Sequence, residues 1–129
     1  MKVTITIECD NKGKVIPQKG VEELNPKELL LYSAAYCAAL TLKGILDKEQ
    51  ISPKRLEIEM SGTLDTQTVT AKSIYTDFNI LYRIECSAIT EQAKIGRAVR
   101  LTTEKYCGML QMISRIATLT QEVAIVSTE

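Results

Sequence analysis

From Leu29 to Leu42 the chain runs for 14 residues without a charge. This run lies inside Asn25–Asp47, a segment with strong helix-start signals. Asn25 suits the N-cap, and Pro26 suits the first helical position, where no N–H is needed. Glu28 stands where a capping-box carboxylate reaches back to the cap N–H, and Leu24 and Leu29 occupy the two positions of a hydrophobic staple. The uncharged run is too short to cross a bilayer, which takes about 20 residues. It is apolar on every side, a pattern that predicts a helix buried all round. A 129-residue chain has little material to wrap such a helix, and a second copy of the chain would supply the missing cover. The helix is expected to fade near Lys48–Gln50, because Ser52-Pro53 disfavours continuation.

Around this helix the apolar period switches to two. Val3, Ile5, Ile7 and Cys9 alternate with Lys2, Thr4, Thr6 and Glu8, which predicts a half-buried strand over 2–9. Asp10-Asn11-Lys12-Gly13 reads as a turn, with Lys14–Pro17 pairing back and Gln18–Glu23 as a polar connector. In Lys54–Leu64, Leu56, Ile58, Met60 and Leu64 face one way and Arg55, Glu57, Glu59 and Ser61 the other. After a threonine-rich connector, Ser73–Cys86 carries Ile74, Phe78, Ile80, Tyr82, Ile84 and Cys86 in one phase. These two strands are expected to pair antiparallel with one wet face. Thr90 is placed to cap a second helix to about Tyr106, with Ile95, Ala98, Val99, Thr102 and Tyr106 as its buried stripe. Gly108 predicts a break, followed by a short helix over Met109–Ile116 with Cys107 at its N-terminus. Thr118–Ser127, with Val123 and Ile125 in phase, closes a single α+β domain over 1–129 in the order β-β-α-β-β-α-α-β.

Sixteen basic and sixteen acidic residues cancel, so no basic field points to nucleic acid and no charged tail to a membrane surface. The N-terminus reads as a strand without the apolar core of a signal peptide, and four cysteines without paired short spacings do not make a secreted disulfide framework. A cytoplasmic location is expected. The chain has no histidine, which removes Cys-His and Ser-His-Asp activation and every histidine-containing metal site. With no phosphate loop and no C-x-x-C, no metal or other cofactor is expected. The chemistry left is that of cysteine, carboxylate, lysine, arginine and tyrosine.

Cys9 and Cys86 fall on the apolar phase of strands and read as small core residues. Cys37 lies in the middle of the long helix, where burial alone raises a thiol pKa and only a nearby cation restores reactivity. Cys107 opens a helix, where free N–H groups and the dipole lower it. Tyr32, Tyr36 and Tyr106 read as packing aromatics, or as the lining of a pocket near the two cysteines.

Three stretches, Asn25-Pro26-Lys27-Glu28-Leu29-Leu30, Ala34-Ala35-Tyr36-Cys37, and Ala98-Val99 through Glu104-Lys105-Tyr106-Cys107, resemble in order and spacing the motifs of the OsmC/Ohr superfamily. The match is nearest its YhfA-like branch. The resemblance implies an intertwined homodimer, with antiparallel sheets around two long central helices. It implies thiol-dependent reduction of organic hydroperoxides, with Cys37 as the attacking thiol and Cys107 as the resolving one, and a dithiol reductant such as a lipoyl protein. In the peroxidase branches a glutamate ten residues before the attacking cysteine holds an arginine from the N-terminal segment. Here Lys27 stands at that position, Glu28 is one step on and turned by about 100°, and the first arginine is Arg55. Lys27 and Glu28 are therefore candidate site residues, with Lys14 or Lys19 of a partner chain as further cations. A slower reaction than in members with the arginine and glutamate is expected. Two other readings use the same chain: a non-catalytic homodimer binding a small apolar ligand between its helices, and a disulfide or persulfide carrier using the same cysteines.

Overall fold

The computed structural model describes residues 1–10, 14–17 and 19–128; the turn expected over 10–13 lies mostly outside them, as does Gln18. A hairpin opens the fold: β1 (Lys2–Cys9) and the short β2 (Val15–Pro17), paired antiparallel. A 3₁₀ turn, Val21–Glu23, leads to α1 (Pro26–Lys48). The start of α1 is capped as its sequence dictates. Asn25 Oδ1 accepts the Glu28 N–H at 2.9 Å, and Glu28 Oε1 accepts the Asn25 N–H at 3.1 Å. Two long strands follow, β3 (Arg55–Leu64) and β4 (Tyr75–Cys86), and then α2 (Gln92–Leu101), α3 (Gly108–Ile116) and β5 (Thr118–Ser127).

The five strands form one sheet in the order β2-β1-β3-β4-β5. The first three pairings are antiparallel, but β4 and β5 run parallel. The sheet is thus mixed where antiparallel pairing was expected. The helical crossover between β4 and β5 carries the chain back to the starting end, and a parallel pair needs such a crossover. Among the described residues there is one long helix, of 23 residues; α2 and α3 have 10 and 9.

The core lies between the sheet and α1. Leu31, Ala34, Ala35, Ala38, Ala39, Leu42 and Leu46 of α1 are buried, among the inward side chains of β1, β3 and β4. The helix is long and apolar enough to span a bilayer by length and composition, yet its buried stripe is that of a core helix. The expected burial on every side is not met within one chain. Tyr36 is 39% and Leu40 51% exposed, because one sheet can cover only one side of α1.

Two other departures have local causes. Thr63 pairs with Asp77 and Leu64 with Tyr75, so Thr76 is bulged. A bulge shifts the inside–outside phase by one residue; Tyr75 is therefore buried and Ile74, expected inside, is 64% exposed. Ser61, expected on the wet face, is buried; it sits between Thr4 and Asn79 across the ladders, and its hydroxyl reaches the Asn79 carbonyl at 3.5 Å. Val123 is largely exposed on the edge strand β5. At the second helix, Thr90 lies in a 3₁₀ turn and α2 begins at Gln92 without a side-chain cap.

Candidate functional site

The site is made where α3 packs on α1. Cys37 lies at the margin of the buried stripe of α1 and is partly exposed, whereas Cys107, at the N-cap of α3, is fully buried. Between α2 and α3 the chain makes a π-helical turn, Thr102–Tyr106. Such turns carry one extra residue, break the 3.6 period and are frequent at functional sites. The turn explains why Tyr106, expected on the buried stripe with Thr102, faces outward at 54% exposure. It ends with the Cys107 N–H donating to the Thr102 carbonyl at 3.0 Å. The Thr102 hydroxyl is in turn tied to the Ala98 carbonyl at 2.9 Å.

This geometry brings the Cys107 thiol near enough to Cys37 for the two to influence each other's ionisation; both are free thiols. Burial is the main influence on Cys107 and pushes its pKa from the ordinary 9.0 up to about 12, with the Cys37 contact adding to the rise. The N–H groups of Leu110 and Met109 at the start of α3 pull the other way. The helix N-terminus was expected to lower this thiol; the donors are present, but desolvation outweighs them. Cys107 is therefore held as a protonated thiol facing Cys37.

A stability consequence follows. Below pH 9 the Cys107 proton is bound in both folded and unfolded chains. As pH rises from about 9 toward 12 the unfolded chain releases it and the folded chain does not, so stability falls through that window, by at most about 1.4 kcal/mol per pH unit. Urea unfolding at about pH 8 and about pH 10.5 should show a smaller drop for Cys107→Ala than for the wild type. Equal drops would mean that this thiol is not held protonated.

The model of the OsmC-like protein family matches residues 17–122. The chain belongs to the OsmC-like family. It is 26% identical over 103 residues to protein YhfA of Escherichia coli K12, a match covering 80% of this chain and 74% of that one. A solved hypothetical protein from Aquifex aeolicus shares 28% identity at a TM-score of 0.69, over 89% of this chain and 81% of the other. The OsmC organic hydroperoxide resistance protein of Legionella pneumophila has the same fold at 14% identity, with a TM-score of 0.53 over 96% of both chains.

The other candidate residues of this OsmC-like chain lie elsewhere. Lys27 and Glu28 are in the first turn of α1, about 15 Å along the axis from Cys37 at 1.5 Å per residue. Glu28 is engaged in the capping box and pairs with Lys19 at 3.5 Å, while the Lys27 carbonyl accepts the Tyr75 hydroxyl at 2.7 Å. Within one protomer neither side chain approaches Cys37. Cys9 is buried and its thiol is raised by burial; Cys86 is buried and donates to the Ala88 carbonyl at 3.5 Å. Tyr32 and Tyr36 meet edge to face, with ring centroids 5.8 Å apart, and Lys105 lies over the Tyr106 ring at 5.4 Å. Leu40, Ile45, Leu101 and Tyr106, with the charged Lys48, Glu49 and Arg97, line most of a groove of about 510 Å³ between α1 and α2.

The sequence reading passed over the residues that surround Cys107. Tyr82, fully buried in β4, shares a 2.9 Å hydrogen bond with the Thr103 hydroxyl. The Gln111 amide donates to the Thr103 carbonyl at 2.9 Å. One signal was available: a tyrosine on the buried phase of a strand needs a partner for its hydroxyl.

Proposed function

We propose that this OsmC-like protein reduces organic hydroperoxides through Cys37 and Cys107. The observation that carries the reading is the nearness of a partly exposed thiol on α1 to a buried, protonated thiol at the start of α3. In the proposed cycle the Cys37 thiolate attacks the terminal oxygen of the hydroperoxide. The O–O bond breaks, the alkoxide takes a proton and leaves as the alcohol, and Cys37 becomes a sulfenic acid. Cys107 sulfur then attacks Cys37 sulfur, its proton and the sulfenic hydroxyl leave as water, and a disulfide forms. A dithiol reductant returns both thiols. The Legionella protein of the same fold is an organic hydroperoxide resistance protein, which supports the choice of substrate class. Lys27 and Glu28 enter this scheme only if a second protomer brings its own α1 start to the site. The direct test is consumption of cumene hydroperoxide by the wild type with dithiothreitol. Turnover supports the reading; a folded protein that consumes none refutes it and leaves the disulfide carrier or the ligand-binding dimer as the better account.

The working unit is proposed to be a homodimer. Tyr36, Leu40, Tyr106, Met112 and Ile116 are exposed apolar side chains on the helical side of the sheet, where a second α1 would cover them. Leu40→Glu costs little in a lone protomer, since the position is half exposed, but buries an unpaired charge in the dimer. Sedimentation should show a dimeric wild type and a folded, monomeric variant. A wild type that is monomeric at micromolar concentration would contradict the proposal.

A further inference from the structure

The structure assigns Tyr82 and Thr103 as positioning residues for Cys107: their partly buried hydrogen bond anchors the π-helical turn that presents this thiol to Cys37. The inference rests on the reading of Cys107 as the resolving thiol. Tyr82 reaches from the middle of β4 to Thr103 Oγ1 at 2.9 Å, and its ring is fully buried. Thr103 lies in the turn itself, and its carbonyl takes the Gln111 side chain at 2.9 Å. Gln111 in turn donates its backbone N–H to the Cys107 carbonyl at 3.0 Å. The sheet, the turn and the first turn of α3 are thus tied by one chain of hydrogen bonds that ends on the Cys107 carbonyl. The phenol also lies close enough to Cys107 for a thiolate there to raise its pKa, although burial is the larger cause of that rise.

A π turn is rare and interrupts the α-helical ladder, so it persists where its surroundings fix it. Without the Tyr82 hydroxyl, Thr103 loses its partner in a partly buried place and the turn loses its only side-chain tie to the sheet among the hydrogen bonds described. The thiol at its end then samples positions away from Cys37. Capture of an oxidant by Cys37 does not use this tie, whereas disulfide closure does.

The experiment separates those two steps in Tyr82→Phe, Thr103→Val and Thr103→Ser. Reduced protein is mixed with cumene hydroperoxide, and the Cys37 sulfenic acid is trapped with dimedone while disulfide is quantified by mass spectrometry. A parallel arm uses glutathione disulfide. There Cys37 displaces one glutathione to form a mixed disulfide, and Cys107 displaces the second to close the pair. Tyr82→Phe and Thr103→Val should close about tenfold more slowly in both arms, with capture by Cys37 unchanged, and Thr103→Ser should restore closure. Closure within about twofold of wild type in folded variants overturns the proposal, as does equal slowing of capture and closure, which marks a merely structural role. If the wild type closes with glutathione disulfide but not with peroxide, the peroxidase reading fails while the glutathione arm still decides the positioning. If neither reagent closes the pair, both fail.

Discussion

Gly62→Val is expected to destabilise the fold by about 3–4 kcal/mol, the combined cost of overpacking and one lost hydrogen bond. Gly62 lies in β3 beneath the ring of Tyr75. A Cβ there would meet Tyr75 Cδ1 and Cε1 at 2.6 and 2.7 Å and Phe78 Cδ1 at 3.2 Å. The ring cannot swing aside freely, because its hydroxyl donates to the Lys27 carbonyl at 2.7 Å and so ties the sheet to the first turn of α1. Its other flank is against Phe78, with centroids 4.9 Å apart. The bulge at Thr76 is what turns Tyr75 inward over this glycine. Gly96→Ala makes a useful contrast: its new methyl would meet Ile125 Cδ1 at an ordinary 3.8 Å, and it should gain about 0.5–1 kcal/mol of helix propensity. Urea unfolding measures both. A loss under about 1 kcal/mol for Gly62→Val would show that Tyr75 is not held as described.

Cys37→Ser should reduce hydroperoxide consumption to background, a fall of at least about a thousandfold, because a serine hydroxyl without a base is a poor nucleophile. Cys107→Ser should behave differently. Its first equivalent of hydroperoxide should be consumed at close to the wild-type rate, leaving Cys37 as a sulfenic acid that dimedone traps, and turnover should then depend on an external thiol. Cys9→Ala and Cys86→Val should retain activity, since both thiols lie in the core. Substantial activity in Cys37→Ser would move the chemistry to another cysteine.

Most of the fold was legible from apolar period and capping. The box at Asn25 and Glu28, the alternation of Leu56, Ile58 and Met60, and the break before Gly108 all rest on local physics, and the structure has each of them. Ile74 and Tyr106 went astray for a shared reason. Ile74 lies beyond a bulge at Thr76 and Tyr106 within a π turn, and a periodicity argument carried across such a point inverts or rotates the assignments on its far side. The parallel β5 was not legible because strand direction is set by the crossover, not by the strand's own residues. At the candidate site, the pairing of Cys37 with Cys107 is an expectation from family resemblance, and the structure places the two thiols near one another. The balance at Cys107 could not be read from the sequence. Helix donors and burial act on it in opposite senses, and only packing decides which is larger.

Cys37 and Cys107 are proposed to act as one redox pair. Mass spectrometry of the reduced protein after a single equivalent of cumene hydroperoxide tests this most directly. The account predicts a species lighter by the two hydrogens lost, with a Cys37–Cys107 cross-linked peptide in preference to any pairing with Cys9 or Cys86. A folded protein in which Cys37 stays reduced, or is oxidised while Cys107 keeps its thiol and no cross-link forms, would contradict it.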